Sequence, residues 1–500
     1  MNHINSEKVI LWLASIYLGI LPISGTIALR NILLLILCLY IATIVLTKVF
    51  KKEYYSFYKH FLTSIPLIWI TWCLFLILFP LWAHEQDIAI IQLRGEWLQS
   101  ILSWIVGFGL AIIIIKQRLG LLSLAWISAI PNLIHLTLTL FIWLEVLDPN
   151  KLGDYPIRNI LNSFDWNLVN FDLQFNKFPL NFRGLEPMHG NLGYPACQAI
   201  ALFLASSISI TNGFSSSKAF SYLIGLIFCF LSIIIAGSRG ALFFAILIVI
   251  MFLVVLLTQN LNRKFQKTPH NIKNFTNSIF LTKVFYYLSF ILIFSFAAYS
   301  IHKDPRWHFM FDRIKIGYLV ENPKSFICNG LNSSQEIILK NAFPDKKSDY
   351  FDELIAGLGS DGGRIVLLRV GIDLALQHPL GLDGSRVSYQ KLISLECTHS
   401  PVHHFSHAHN GWIDLSLALG WAGVIILLGV FIFFIKFGTK FISNESCRSW
   451  AYALVLICLF WTTRGLVDSV YREHLLQMQG FIIAYIFAQM RLAEKISNLN

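Results

Sequence analysis

Residues 219–258 read AFSYLIGLIFCFLSIIIAGSRGALFFAILIVIMFLVVLLT, two apolar runs joined by a turn whose single charge is Arg239. Each run, 219–236 and 240–258, approaches the roughly 20 residues a helix needs to cross a bilayer's hydrocarbon core. Similar runs at 9–29, 31–47, 61–83, 98–115, 121–146, 191–211, 284–301, 410–435, 450–463 and 474–490 bring the total to about twelve spans. Hydrophobic residues are 56% of the 500 and charged ones 13%, about half the ~25% of soluble domains, which excludes a soluble multidomain array. The expected fold class is an all-α polytopic membrane protein.

Charge gives the orientation. With the N-terminus in the cytoplasm, that face collects 18 of the 39 Lys and Arg, including Lys51, Lys52, Lys59, Lys116, Arg118, Lys267, Lys273 and Lys283, against Glu7, Glu53, Glu445 and Glu494. The cytoplasmic face is then +14 and the outer face −3, so the net +11 records the positive-inside rule and not a nucleic-acid partner. Both termini are expected inside, and the first run is read as a retained helix because no small-residue cleavage site follows it. Four regions result: 1–190 with spans one to five and a first outer loop, 191–301 with spans six to nine, 302–409 as a large outer loop, and 410–500 with the last three spans. No internal repeat is evident. Chemistry is expected on the outer loops, where a rigid scaffold presents side chains.

The strongest local signal is Cys397-Thr398-His399-Ser400-Pro401-Val402-His403-His404-Phe405-Ser406-His407-Ala408-His409-Asn410-Gly411-Trp412, which holds five of the chain's 15 His. Three readings stand side by side. His403 and His407 on one helical face could serve a metal, although no carboxylate or Cys has matching spacing. The stretch could be a polar interfacial segment without chemistry. Or one His, held at the bilayer surface by a helix that Asn410 starts, could act as a general base, for which a reference pKa of ~6.5 is suited. Cys328 and Cys397 share the large loop and are either free thiols or a disulfide of an oxidising compartment.

Arg239 stands between Gly237-Ser238 and Gly240, so it either snorkels to the interface or meets a phosphate through its bidentate fork. Asp361 is a fair N-cap for an amphipathic helix that places Arg364 in its first turn. Arg369 is read as a solvated or headgroup contact. Gly381-x-x-Gly384 lacks the Lys-Ser/Thr of a phosphate loop and is read as a turn. Arg313 and Arg183-Gly184 are further phosphate candidates, each equally a surface cation. Arg464, Asp468, Arg472 and Glu473 are expected to form interfacial ion pairs, His189 and Asn191 to cap the sixth span, and His135 to be a packed, hydrogen-bonded histidine.

Ser238-Arg239-Gly240, Gly363-Arg364 ahead of an amphipathic helix with His378-Pro379-Leu380-Gly381-x-x-Gly384, and His407-x-His409-Asn410 leading into Leu419-Gly420-x-x-Gly423 together resemble the O-antigen ligase and polymerase superfamily over about 190 to 490. The resemblance implies a GT-C-like membrane fold in the bacterial cytoplasmic (inner) membrane, with the large loop between helices 9 and 10 and the active site facing the periplasm. It implies an inverting, metal-independent glycosyltransferase without a cofactor, moving glycan from undecaprenyl pyrophosphate to an acceptor hydroxyl. By position, Arg239 and Arg364 would bind the pyrophosphate, with Arg313 and Arg183 as less certain additions, and His409 would take the acceptor's proton, supported by His407 and Asn410. Family members often carry Glu where this chain has Ala418; if that Glu orients the base, another carboxylate, such as Asp414, must do so here. Lipid A-core is the leading acceptor, with protein Ser/Thr (a protein O-oligosaccharyltransferase) or another lipid-linked repeat (an O-antigen polymerase) as alternatives. A transporter of polysaccharide or lipid-linked glycan is the rival of another class.

Overall fold

The computed structural model describes residues 2–23, 25–50, 65–113, 119–153, 156–165, 177–185, 189–208, 216–264, 309–344, 348–358 and 363–497, with 291, 294–295, 297–299, 301–302 and 307. Most of the expected span 284–301, Asp361, Lys346-Lys347, and Lys51, Lys52, Lys59, Lys116, Arg118, Lys267, Lys273 and Lys283 lie outside the described residues. An apolar run in hydrocarbon must satisfy its own backbone groups, so these runs become helices. They are α1 (Asn2–Ile20), α2 (Ile27–Phe50), α3 (Leu67–Leu78), α4 (Gln86–Gln92), α5 (Leu98–Ile113), α6 (Leu121–Trp143), the short α7 (Pro149–Leu152) and α8 (Pro156–Asn159), α9 (His189–Ser207), α10 (Ser216–Ile235) and α11 (Arg239–Lys264). The large loop supplies α12 (Met310–Leu319), α13 (Pro323–Asn329), α14 (Ser333–Asn341), α15 (Ser348–Leu358), α16 (Arg364–Gln377) and α17 (Ser388–Glu396), and the chain closes with α18 (Gly411–Phe441), α19 (Arg448–Arg464) and α20 (Glu473–Ser497). No strand occurs among the described residues.

Four described helices are long and apolar enough to cross a membrane, over Ile27–Thr47, Leu121–Trp143, Lys218–Ile235 and Gly411–Phe441; shorter apolar helices cover Leu67–Leu81, Leu192–Ser207 and Arg239–Val255. Their outward faces, such as Leu35, Leu39, Phe220 and Ile425, are exposed apolar surface, as lipid-facing residues should be. Inside, α9 packs against α6, α10, α11 and α19, while α20 runs along α5. The large loop has a core of its own, built from residues such as Ile316, Phe326, Leu354, Val366, Leu374 and Tyr389 and continuous with Ile413 and Leu417 at the start of α18.

The last long span is not one uninterrupted helix. Gly420 breaks α18 with φ 76° and ψ 173°, which frees carbonyls that water cannot reach. The 379–384 segment satisfies them: Leu382 N donates to Leu417 O and Gly384 N to Ala418 O, both at 2.9 Å, while Trp421 N donates to Pro379 O at 3.0 Å. The Gly381-x-x-Gly384 turn therefore plugs a helix break. Contact is so close that a Cβ on Gly381 would lie 2.4 Å from Gly420 N, and one on Gly420 2.6 Å from Leu380 C. The fully buried Asp383 holds the plug in shape, accepting from Ser385 N at 2.9 Å, from Ser388 Oγ at 2.8 Å and from Lys391 Nζ. Trp97 Nε1 ties it to the bundle by donating to Gly384 O at 3.0 Å.

Within the loop, Asn322 and Asn332 cap α13 and α14 by accepting from Ser325 N and Gln335 N. Arg369 is not a solvated or headgroup contact: its Nη1 donates to the carbonyls of Gly317, Tyr318 and Val320, which end α12. Cys328 and Cys397 are joined by a disulfide, with Cα atoms 5.4 Å apart and 69 residues between them in sequence.

Two outcomes are expected from thermal unfolding of the purified protein. Gly420→Ala and Gly381→Ala each lose about 2 kcal/mol or more, since both combine a left-handed backbone with a Cβ driven into opposing main chain. Cys397→Ser loosens the loop subdomain by about 4 kcal/mol on loop-closure entropy, read as earlier proteolysis within 302–409.

Candidate functional site

The His-rich stretch is irregular from Pro401 to Asn410, so His403 and His407 do not share a helical face. Its course is set elsewhere: the disulfide anchors one end, Val402 N and His403 N donate to Cys328 O and Ile327 O, and the His403 ring stacks on Phe326 at 4.6 Å. Among the described residues no group of three His, Cys, Asp or Glu is arranged to hold a metal ion.

The stretch ends in a built turn. Asn410 starts α18, its Oδ1 accepting from Trp412 N and Ile413 N at 3.1 Å and its Nδ2 donating to Leu466 O at 2.8 Å. His409 sits just before it at φ 52°, a left-handed conformation that is unusual outside glycine and that the fixed neighbours on both sides impose. His409 N donates to His407 Nδ1 at 3.3 Å, and the two rings lie 4.2 Å apart. That bond requires a neutral His407 with its proton on Nε2. Burial, and then the charges of His409, Arg472 and Arg364, push the His407 pKa down to about 3 against the opposing pull of Asp468. Asp414 does not reach for a ring: it accepts from Ala408 N at 2.7 Å and from Ser469 Oγ, bracing the main chain that presents His409.

All of this rests on residues 465–473, the turn between α19 and α20. Gly411 N donates to Gly465 O at 2.7 Å, Trp412 Nε1 to Thr462 O at 3.1 Å, and Arg364 Nη1 to Val467 O at 2.9 Å, so α16 and α18 meet on it. Arg464 and Asp468, expected as an interfacial pair, form a buried one: Arg464 Nη2 donates to Asp468 Oδ2 at 2.7 Å, with exposures of only 4% and 9%. Tyr194 OH donates to the same oxygen at 2.8 Å. Burial raises the Asp468 pKa, but the Arg464 and Arg364 charges and the Tyr194 hydrogen bond outweigh it and hold the carboxyl well below the usual range. The Arg464 guanidinium lies over the Tyr194 and Phe244 rings, 5.2 and 4.9 Å from their centroids, and its Nη1 would be 2.7 Å from a Cβ on Gly240. The glycine after Arg239 thus admits Arg464, and through it the Ser238-Arg239-Gly240 turn is seated against the turn that carries His409.

The other candidates are placed as follows. Arg183 is exposed on a loop that docks on the end of α10 through Asn181 N to Ile235 O at 2.7 Å, next to the Arg239 turn. Its neighbour Gly184, at φ 69°, packs against the His135 ring; His135 is buried and bonded to Ser232 Oγ at 3.0 Å and Phe182 O at 2.9 Å. Arg313 is held inside the loop subdomain, its Nε against Gly357 and its guanidinium over Phe309. His189 begins α9. Sequence reasoning pairs Asp468 with Arg464 but misses its burial and its bond to Tyr194, which nothing in the local pattern at 464–473 signals.

Arg464→Gln is expected to cost about 3 kcal/mol, because it leaves Asp468 as an uncompensated buried charge. Arg464→Met with Asp468→Leu should recover most of that loss in a thermal melt, and a double variant as unstable as the single one would show that the pair is not the cause.

Residues 224–428, which carry Arg239, Arg364, the 378–384 plug and His409, match the family model described as O-antigen ligase. No curated protein matches the chain. The matched segment, about two fifths of the chain, is thus similar to the O-antigen ligase family.

Proposed function

We propose that the protein is a glycosyltransferase of the inner membrane that moves O-antigen or a related glycan from undecaprenyl pyrophosphate to a hydroxyl of lipid A-core at the periplasmic face. About twelve spans with both termini in the cytoplasm belong to this reading, supported by the charge asymmetry between faces. The Cys328–Cys397 disulfide supports an outward-facing loop, because disulfides persist in oxidising compartments.

The observation that carries the proposal is the convergence on one turn. His409 is fixed in a left-handed conformation by Asn410 and Asp414, and the 465–473 turn beneath it also binds Arg364 and seats the Arg239 turn through Arg464. In the proposed reaction the acceptor O–H proton passes to His409 as the oxygen attacks the anomeric carbon. The bond from that carbon to the diphosphate oxygen breaks with its electron pair leaving on the diphosphate, and attack opposite the leaving group inverts the centre. Arg239 and Arg364 stabilise the departing charge through charge-assisted hydrogen bonds, a task guanidinium groups can perform without a divalent ion. Arg183, beside the Arg239 turn, would extend this donor surface. Arg313 serves the loop subdomain in this reading and not the donor.

The test is transfer by the full-length protein in nanodiscs, with lipid-linked glycan as donor and core-only lipopolysaccharide as acceptor. His409→Ala is expected to lower kcat by about 10²–10⁴-fold, and Arg239→Ala and Arg364→Ala to raise the donor KM and lower kcat together. Chelator should leave the rate unchanged. Full activity of His409→Ala would remove the proposed base; extension of one lipid-linked repeat by another would make the protein a polymerase.

A further inference from the structure

α18 has 31 residues, a length of roughly 46 Å at 1.5 Å per residue, whereas the hydrocarbon of a bilayer is roughly 30 Å thick. Lys436 and Lys440 mark its far end, where their charged heads reach for water. Trp421, the first residue after the Gly420 break, lies 15 residues or roughly 22 Å from Lys436, and 19 residues or roughly 28 Å from Lys440. By either marker it lies inside the hydrocarbon. The start of the plug must lie at the same depth, because Trp421 N donates to Pro379 O and Trp421 Nε1 to Ala375 O, both at 3.0 Å.

The segment from Ala375 to Gly384 is built for such a place. Irregular backbone survives at membrane depth only where protein satisfies its polar groups. Here they turn inward: besides the bonds to α18 described above, Leu382 O accepts from His84 N at 2.9 Å and Gly384 O from Trp97 Nε1. What faces outward is Leu376 and Leu380, 66% and 68% exposed. They continue the lipid-facing surface of the bundle, represented by Ile425 one turn beyond Trp421, itself 67% exposed.

Charge appears only where water should begin. At the level of Leu417, four residues nearer the outer end of α18, the plug meets Asp383 and Lys391, and Lys391 Nζ is 3.7 Å from Glu85. On α16 the edge next to Leu376 is polar: Gln377 Nε2 donates to Asp373 Oδ2 at 3.0 Å, and Lys324 pairs with the same oxygen at 3.4 Å. An apolar edge beside a charged one is the pattern of a helix lying in a membrane interface.

We propose that residues 372–382 are re-entrant: α16 crosses the interface obliquely and carries Ile372, Leu376 and Leu380 among the acyl chains, so the partner of this face is the lipid bilayer. The large loop is then fixed to the membrane twice, by the plug's bonds to α18 and by its own lipid contact. The inference is independent of the reaction proposed above.

The experiment uses the full-length protein in nanodiscs, one copy per disc, with a nitroxide attached at Leu376→Cys, Leu380→Cys or Gln377→Cys, and with labelled wild type as the background of native cysteines. Labels at 376 and 380 should relax through collision with oxygen, which concentrates in hydrocarbon, and lose contact with a water-soluble nickel chelate. The label at 377, one residue away, should show the reverse. Chelate collisions at 376 and 380 as frequent as at 377 would overturn the proposal and leave the face to a second copy or another protein, since no second copy shares the disc. A measurement without substitutions uses a lipid with a diazirine along its acyl chain: it should label wild-type peptides containing 376–380, and labelling of the spans alone would equally overturn the proposal. Neither measurement reads glycan transfer, so their failure leaves the transferase reading untouched.

Discussion

The break in α18 at Gly420 constrains everything built around it. A span that interrupts its own ladder in a low-dielectric interior leaves carbonyls that cost several kcal/mol each unless another donor reaches them. Here the donors are Leu382 N and Gly384 N, so the large loop cannot be displaced from the bundle without exposing Leu417 O and Ala418 O. Two glycines are required because the two backbones touch, and the buried Asp383 fixes the loop so that both amides point the same way. The loop is therefore docked as a rigid extension of the bundle, which explains how Arg364, on a loop helix, can be held at a fixed place against the turn between the last two helices.

That turn is the second anchor. A buried pair such as Arg464–Asp468 is weak evidence for stability, since removing two charges from water offsets most of their attraction. Its contribution is to geometry: Asp468 has one orientation in which it satisfies both Arg464 and Tyr194, and Arg464 fits only where Gly240 leaves room. Three helices, α9, α11 and α19, are registered against one another by this single cluster. The same turn supplies Leu466 O to Asn410 and Val467 O to Arg364, so the register passes directly to the candidate site.

Local chemistry was legible in the sequence and long-range pairing was not. Asn410 could be read as a helix start because an Asn ahead of an apolar run supplies the cap that the first turn lacks, and its Oδ1 does so. The apolar runs gave the helices for the same reason. The sequence does not decide between free thiols and a bond at Cys328 and Cys397, because two cysteines in one loop do not show whether their Cβ vectors meet. His403 and His407 share no helical face because the disulfide and the Ile327 and Cys328 carbonyls hold that segment in an irregular course. The bonds of Glu96 to Glu473 N and of Asp468 to Tyr194 carry no signal: Glu473 and Tyr194 lie 377 and 274 residues away from them, and no local pattern encodes such a contact. The Gly381-x-x-Gly384 turn was visible as a turn, but its role depended on a break 36 to 39 residues downstream of it that hydropathy alone reads as one continuous span.

In the proposed reaction the charge around His409 has to serve two different substrates. Arg239, Arg364 and Arg386 stand on the family-matched segment, while Glu96 and Arg472 come from outside it. The two substrates differ, because one leaves as an anion whose charge grows during reaction, whereas the other enters neutral and must lose a proton to a base. Cations on both sides would bind the leaving diphosphate wherever it drifted and oppose protonation of the histidine. The neutral His407 packed against His409 keeps a further positive charge away from the histidine proposed as the base.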